Sequence, residues 1–319
     1  MGIYERAIGA TLNLTYRCNM QCSHCYVQAG CENTFGELSD NEWLEIIDKL
    51  MVYGINNVQI TGGEALIRKD LFLKILDKLS HNSYISIIIS TNGLLLDDQV
   101  LSMINSIENP VLIQISLDGS NKDVHNLIRK NDKAFDSAIS ACLKTMQSKA
   151  ELQICHTINK LNYKEIENII KLSIGLNADA LLLGAALPLG RGAVDKDSII
   201  LSNNIRNTLK NVLKELQEKY KEYIDIFIAA MSDEEIIYNF SHEMQNWFII
   251  DPLGNILIEE YLPFVVGNIN SDGLENLWDN IISYQQSKGL MDFVSKLDCE
   301  GIALSDLEKI DLKEVSINE

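Results

Sequence analysis

The chain has 319 residues, enough to bury a substantial core, and its 46% hydrophobic content with only four prolines leaves no compositionally disordered tract. A formal net charge of -18 repels phosphate backbones and anionic membranes, which argues against nucleic acid and membrane surfaces as partners. No apolar run approaches ~20 residues and no charged-then-apolar signal opens the chain, so the expectation is a cytoplasmic protein without a membrane span.

The first apolar run, Ile8 to Leu14, reads as a strand. It leads directly into Tyr16-Arg17-Cys18-Asn19-Met20-Gln21-Cys22-Ser23-His24-Cys25-Tyr26, a C-x3-C-x2-C pattern on the loop leaving that strand. Seven cysteines, an odd number clustered towards one end, argue against a secreted disulfide framework. A closed structural zinc site wants four ligands, so three neighbouring thiolates point to a metal centre with one position open for chemistry. The competing reading is a zinc knuckle with His24 as fourth ligand, or simply buried thiols.

Ser39-Asp40-Asn41-Glu42 is a capping box, followed by Trp43, Ile46, Ile47, Leu50 and Met51 on one helical face and Gly54 at the stop. Further apolar runs at 57–61, 84–90, 111–117, 152–158 and 180–186 alternate with helical periods at 71–79, 97–107, 135–146 and 163–174. Six strands each followed by a helix imply an α/β fold with parallel pairing and right-handed crossovers. Periodicity alone leaves the sheet open or curled.

Polar groups gather where strands end. Thr61-Gly62-Gly63-Glu64 follows the second strand, where glycines permit close backbone approach and a carboxylate accepts from an ammonium group. Ser90-Thr91-Asn92-Gly93 and Ser116-Leu117-Asp118-Gly119 follow the third and fourth, although Asn-Gly and Asp-Gly are also ordinary turn formers. In strand five the apolar set Leu152, Ile154 and Ile158 is expected to face the helices of a curled sheet, which turns Gln153, Cys155 and Thr157 to the lumen.

These residues together resemble the radical S-adenosylmethionine (SAM) superfamily, closely over 8–195 and loosely beyond. The resemblance implies a partial (β/α)6 barrel of TIM type. It implies that Cys18, Cys22 and Cys25 hold one [4Fe-4S] cluster whose fourth iron chelates SAM, and that one electron from it cleaves SAM to methionine and a 5'-deoxyadenosyl radical. Gly62, Gly63 and Glu64 look like the family's Gly-Gly-Glu, which binds the SAM amino group. Ser90, Asn92, Ser116, Asp118 and Thr157 become candidate cofactor contacts, with ribose hydroxyls or substrate as their targets. Leu187-Pro188-Leu189-Gly190-Arg191-Gly192-Ala193 resembles the Gly-Arg-Gly segment of the peptide-modifying branch, where it runs past the adenine and Leu187 would supply apolar contact. His125-Asn126-Leu127-Ile128-Arg129-Lys130 is similar to that branch's His-Asp-x-x-Arg-Gly, with Asn126 and Lys130 departing from it. Cys155 stands as a candidate hydrogen-atom donor against the blander reading of a small core residue. Cys31 is a second such candidate or an incidental thiol, and Cys142, on one face with Phe135, Ile139 and Met146, reads as core.

After a long amphipathic helix from Ser202 to about Tyr220, a hairpin is expected around Pro252-Leu253-Gly254-Asn255, then Gly267-Asn268-Ile269 and a helix with Leu274, Leu277, Trp278 and Ile281. This order resembles the SPASM or twitch extension of radical SAM maturases. Glu259 stands near the hairpin where that family has a cysteine, and Cys299 is the only later one. One thiol cannot assemble a cluster's four ligands. The expected division is a core barrel at 1–195 and an extension at 196–319 without a complete auxiliary cluster site.

The leading expectation is a radical SAM enzyme that abstracts hydrogen from a ribosomally made peptide, giving epimerisation or cross-linking. An electron donor such as flavodoxin or ferredoxin is implied. With seven residues before the first strand, the peptide is expected on the extension or on a separate leader-binding protein. The alternatives are a radical SAM enzyme of cofactor or small-molecule biosynthesis and, from another class, a non-catalytic metal-binding scaffold.

Overall fold

A computed structural model describes residues 6–30, 36–229, 231, 235, 246–261 and 264–286. The apolar runs become strands β1 (Gly9–Asn13), β2 (Asn57–Thr61), β3 (Ser86–Thr91), β4 (Val111–Ser116), β5 (Glu151–Ile158) and β6 (Ala180–Ala185). Each pairs in parallel with the next in chain order. Helices α1 (Asp40–Tyr53), α2 (Lys69–Ser80), α3 (Asp98–Ser106), α4 (Lys122–Arg129), α5 (Ala134–Thr145) and α6 (Ile166–Gly175) return the chain between them. The capping box forms as expected, with the Glu42 N–H donating to the Ser39 hydroxyl and the Ser39 N–H to the Glu42 carboxylate. Trp43, Ile46, Ile47 and Leu50 are fully buried on its inner face. Each such side chain contributes about 1.5–3 kcal/mol on leaving water, so the spacing of these residues is what docks α1.

Strand alternation divides the two faces of the sheet. Ile87, Ile89, Ile113, Ile115, Leu152 and Ile154 pack towards the helices. The opposite face carries a polar row across five strands: Thr11 to Gln59 (3.4 Å), Gln59 to Ser90 (3.1 Å), Ser90 to Gln114 (2.6 Å) and Gln114 to Gln153 (2.7 Å). Buried amides and hydroxyls that satisfy one another in this way avoid the desolvation cost each would incur alone. The row is the floor beneath the strand ends.

The chain goes beyond six strands. After short helices α7 (Arg191–Val194) and α8 (Lys196–Ile199), α9 (Asn203–Tyr220) leads to β7 (Asp225–Ile228), parallel to β6. The expected hairpin is present as β8 (Trp247–Ile250) and β9 (Asn255–Leu257), with β10 (Val265–Asn268) antiparallel to β9. β8 pairs in parallel with β1, Gly9 lying opposite Trp247, so among the described residues a single ten-stranded sheet runs β10-β9-β8-β1-β2-β3-β4-β5-β6-β7. Position 195 lies between α7 and α8, and β7, beyond it, continues the sheet alongside β6. Helix α10 (Leu274–Gln286) places Trp278 edge-on to Phe248 at 5.6 Å, in the same core as Tyr53 of α1. Among the described residues no helix is long and apolar enough to cross a membrane.

Candidate active site at the carboxyl ends of the strands

The cysteine loop is pinned from several sides. Cys18 and Cys22 are buried and Cys25 half-buried, all as free thiols, among Met20, Ala29 and Ala134. The Gly30 N–H donates to the Tyr16 carbonyl (3.0 Å) and the Ser23 N–H to the Ile128 carbonyl (2.9 Å). From beyond β6, Arg191 donates its Nε to the Cys22 carbonyl and its Nη1 to the Ala29 carbonyl, both at 2.8 Å, and its own N–H to the Cys25 carbonyl. Gly190, at φ 52°, lies so close to the Cys25 and Tyr26 carbonyls that a Cβ would collide with them. The Gly-Arg-Gly segment thus clamps the cysteine loop.

Gly62 and Gly63 also serve this loop. A Cβ on Gly63 would overlap the Arg17 carbonyl, and the Gly63 N–H donates to the Thr15 carbonyl at 2.7 Å. The close approach anticipated from the glycines is therefore made to the cysteine loop itself.

One cavity of about 310 Å³ opens at these strand ends. Its wall includes all three loop cysteines, Gly62, Gly63 and Glu64. Ser90, Asn92, Ser116, Cys155, Thr157 and Leu187 line it as well. Some of their polar capacity is already committed: the Ser90 hydroxyl donates to Gln114, and the Asn92 amide donates to Asn19 Oδ1 at 2.8 Å and accepts the Leu94 N–H. Cys155 faces the cavity half-buried, and burial with the nearby Asp118 carboxylate pushes its thiol up to about 12. Cys142 is wholly buried core. Cys31 and Cys299 lie outside the described residues.

Glu64 is 2% exposed. Its Oε1 accepts from the Leu66 N–H (3.2 Å) and the Thr91 hydroxyl (2.9 Å), and its Oε2 from the Asn92 N–H (2.9 Å). A carboxylate offers about four acceptor positions, so these three donors, the ones among the described residues, leave one for a ligand. Burial raises its pKa above the ordinary value, with the hydrogen bonds opposing the rise.

Asp118 does not stand where its position after β4 predicted. It is absent from the cavity wall and fully buried, with Oδ2 2.6 Å from Arg129 Nε and 3.5 Å from His24 Nε2, and with Oδ1 accepting the Thr157 N–H at 2.8 Å. Burial alone would raise its carboxyl, but the Arg129 guanidinium and the imidazoles around it outweigh that and hold it well below the usual carboxylate range. Burial pulls His24 and His125 down to about 4, so both are neutral near pH 7. The Asp118 N–H donates to His125 Nδ1 at 3.0 Å, which fixes that ring's tautomer.

Sequence reasoning gave Arg129 and Arg191 no role beyond the motifs containing them, and missed Tyr26, Glu260 and Tyr261. Tyr261 lines the cavity and meets Tyr26 edge-on at 5.2 Å. Burial, with Glu259 beside it, lifts Glu260 to about 7. The adjacent Glu259-Glu260-Tyr261 sequence was the available signal.

The donor set suits an iron-sulfur cluster bearing a small organic ligand. Three thiols border a cavity of ligand size beside a carboxylate with an acceptor position to spare. Among the described residues no three His, Cys, Asp or Glu side chains converge as a site for a single metal ion.

Thiols on the loop after the first strand of a parallel, partly curled α/β sheet define the radical-chemistry class of partial barrels. Residues 12–173 match the family model described as Radical SAM superfamily, and the chain belongs to that superfamily. Its cofactors are accordingly a [4Fe-4S] cluster and SAM. The chain is 26% identical over 219 residues to the sporulation killing factor maturation protein SkfB of Bacillus subtilis, covering 69% of this chain and 52% of that protein. It thus spans about half of SkfB's length. It is 25% identical over 285 residues to the AdoMet-dependent heme synthase of Methanosarcina barkeri, covering 84% and 80% respectively. The fold is shared with the crystal structure of Streptococcus suis SuiB bound to S-adenosylmethionine, at a TM-score of 0.71 and 12% identity over 96% of this chain and 72% of that one.

Proposed function

We propose that the chain is a radical SAM enzyme that removes a hydrogen atom from a residue of a ribosomally made peptide, leading to epimerisation or cross-linking. The observation carrying this reading is one cavity that joins the Cys18, Cys22 and Cys25 thiols to a Glu64 carboxylate with an open acceptor position. The likeness to SkfB, a maturation protein, supports a peptide substrate. When bound, the cluster and SAM supply the 5'-deoxyadenosyl radical.

In this reading the three thiolates hold the cluster, and Gly62, Gly63 and Glu64 receive the SAM ammonium group. Ser90, Asn92, Ser116 and Thr157 border the sugar, and Leu187 contacts the adenine. Asp118 acts behind the wall rather than on the cofactor. Cys155 stays protonated at neutral pH and carries a hydrogen atom that it can return to a substrate radical; Cys31 is the other candidate for that task. The cofactor-holding part is 1–195, and 196–319 is a substrate-facing extension without a complete auxiliary cluster site, since Cys299 is its only cysteine. The reading includes a cytoplasmic setting, a flavodoxin or ferredoxin as electron donor, and either direct docking of the peptide or a separate leader-binding protein.

The test is 5'-deoxyadenosine formation by anaerobically reconstituted protein given SAM and a strong reductant, against a variant with Cys18, Cys22 and Cys25 all changed to Ala. Product from the wild type alone supports the radical reaction; its absence from cluster-loaded wild type overturns it. A peptide encoded beside the gene, treated in heavy water, gains one deuterium on epimerisation and loses two hydrogens on cross-linking. Cys155→Ala is expected to keep SAM cleavage and lose the deuterium. A second reading, a small-molecule substrate, is favoured by the near full-length likeness to the heme synthase, and turnover of a tetrapyrrole instead of the peptide would select it.

A further inference from the structure

We infer that Arg129 is a positioning residue that raises the reduction potential of the cluster by donating from its guanidinium to the Cys22 sulfur while Asp118 holds it in place. The inference rests on the reading of Cys18, Cys22 and Cys25 as cluster ligands. Arg129, the last residue of α4, is only 9% exposed, and its Nη1 stands 3.7 Å from Cys22 Sγ. Its Nε lies 2.6 Å from Asp118 Oδ2. One edge of the guanidinium is thus spent on the carboxylate, and the other faces the sulfur.

Several bonds keep that geometry from drifting. The Ser23 N–H donates to the carbonyl of Ile128, which ties the residue after Cys22 to the residue before Arg129. Arg191 holds the Cys22 carbonyl at 2.8 Å from another side. Asp118 is itself fixed by the Thr157 N–H on Oδ1 and by Asn162 Nδ2 on its carbonyl, each at 2.8 Å. The guanidinium therefore has little freedom to leave the sulfur.

The sign follows from electrostatics. A cluster gains negative charge when it takes an electron, so an N–H donor carrying positive charge stabilises the reduced form more than the oxidised form. Burial removes the water that would screen the effect. The Asp118–Arg129 pair is neutral as a whole and turns its positive end to the sulfur. A lysine cannot reproduce this, because one ammonium lacks the guanidinium's fixed fork of donors.

The experiment compares wild type, Arg129→Lys and the double variant Asp118→Asn with Arg129→Met, which removes both charges together. Each is reconstituted, checked by circular dichroism, and assayed for iron and acid-labile sulfide. The midpoint potential is then read by electron paramagnetic resonance in a redox titration without SAM. The expected result is a negative shift in both variants. At the wild-type midpoint the reduced-to-oxidised ratio of the double variant falls about tenfold, which is about 59 mV for a one-electron couple. Cluster-loaded variants with the wild-type midpoint overturn the inference while leaving the cluster reading intact. Natively folded variants that hold no cluster overturn it too, since Arg129 would then retain the thiolate rather than tune it. A wild-type chain that assembles no iron-sulfur cluster overturns the functional reading, and this one with it.

Discussion

The loops after β2 and β4 each bury a carboxylate beside the cysteine loop, and they differ in what holds it. Glu64 is cradled by two backbone N–H groups and a hydroxyl, all neutral. Asp118 is met by the Arg129 guanidinium. Burial is nearly the same, yet one carboxyl is raised above its ordinary value and the other is driven far below it. A carboxylate held by neutral donors still attracts a cation, whereas one already paired with arginine has its charge answered within the fold. Sequence position after a strand does not distinguish the two; the partner does.

The sharpest way to break this comparison is Asp118→Ala, which strands the Arg129 charge in the interior. It is expected to cost about 3–5 kcal/mol in chemical denaturation of the cluster-free chain. Glu64→Gln, which strands no cation, is expected to cost clearly less, and equal losses would erase the distinction. Next comes pH. His125 has a folded value of about 4, below its unfolded 6.5, so between those values the unfolded chain binds more protons. Stability from this group is full above about pH 6.5 and falls as pH drops towards 4, by up to ~3 kcal/mol. His125→Asn, which keeps an acceptor for the Asp118 N–H, should flatten the fall measured by thermal unfolding. Glu64, raised rather than lowered, contributes with the opposite slope, losing stability as pH rises from about 4.5 through its folded value.

A smaller effect concerns the ligand. Glu64→Gln keeps an acceptor but loses the charge, and SAM affinity by equilibrium dialysis should fall about tenfold to a hundredfold, the ~1.5–3 kcal/mol of a charge-assisted hydrogen bond. The smallest is Thr91→Val, which removes one of the three neutral donors to Glu64. It should destabilise by about 1 kcal/mol and leave SAM affinity within about threefold.

Much of the fold was legible because its signals are local. Strand and helix periods lie within short windows, the capping box spans four residues, and the cysteines sit on one loop. What escaped depends on distance along the chain. Arg129 reaches Cys22 from a different element, and β8 finds β1 from the far end of the sequence, so no short-range pattern announces either contact. β7 is only four residues long with Phe227 half exposed, too brief and too mixed for alternation to mark. Asp118 was read as a ligand contact because Asp-Gly at a strand end looks the same whether the carboxylate turns inward to an arginine or outward to a cavity. The glycines of the second loop were recognised, but the backbone they accommodate belongs to the protein itself.

The parallel pairing of β8 with β1 gives the molecule an order of completion. During synthesis the first strand emerges early and takes β2 as its neighbour, yet its other edge stays open until residues 247–250 have been made. Only then can Tyr16 reach Asp251 and Leu38 reach the Pro252 carbonyl. Until then the strand that leads into the cysteine loop lacks its second neighbour. Closing the sheet ties the segment around the cysteine loop to a part of the chain made much later, with Tyr26 meeting Tyr261 edge-on at 5.2 Å.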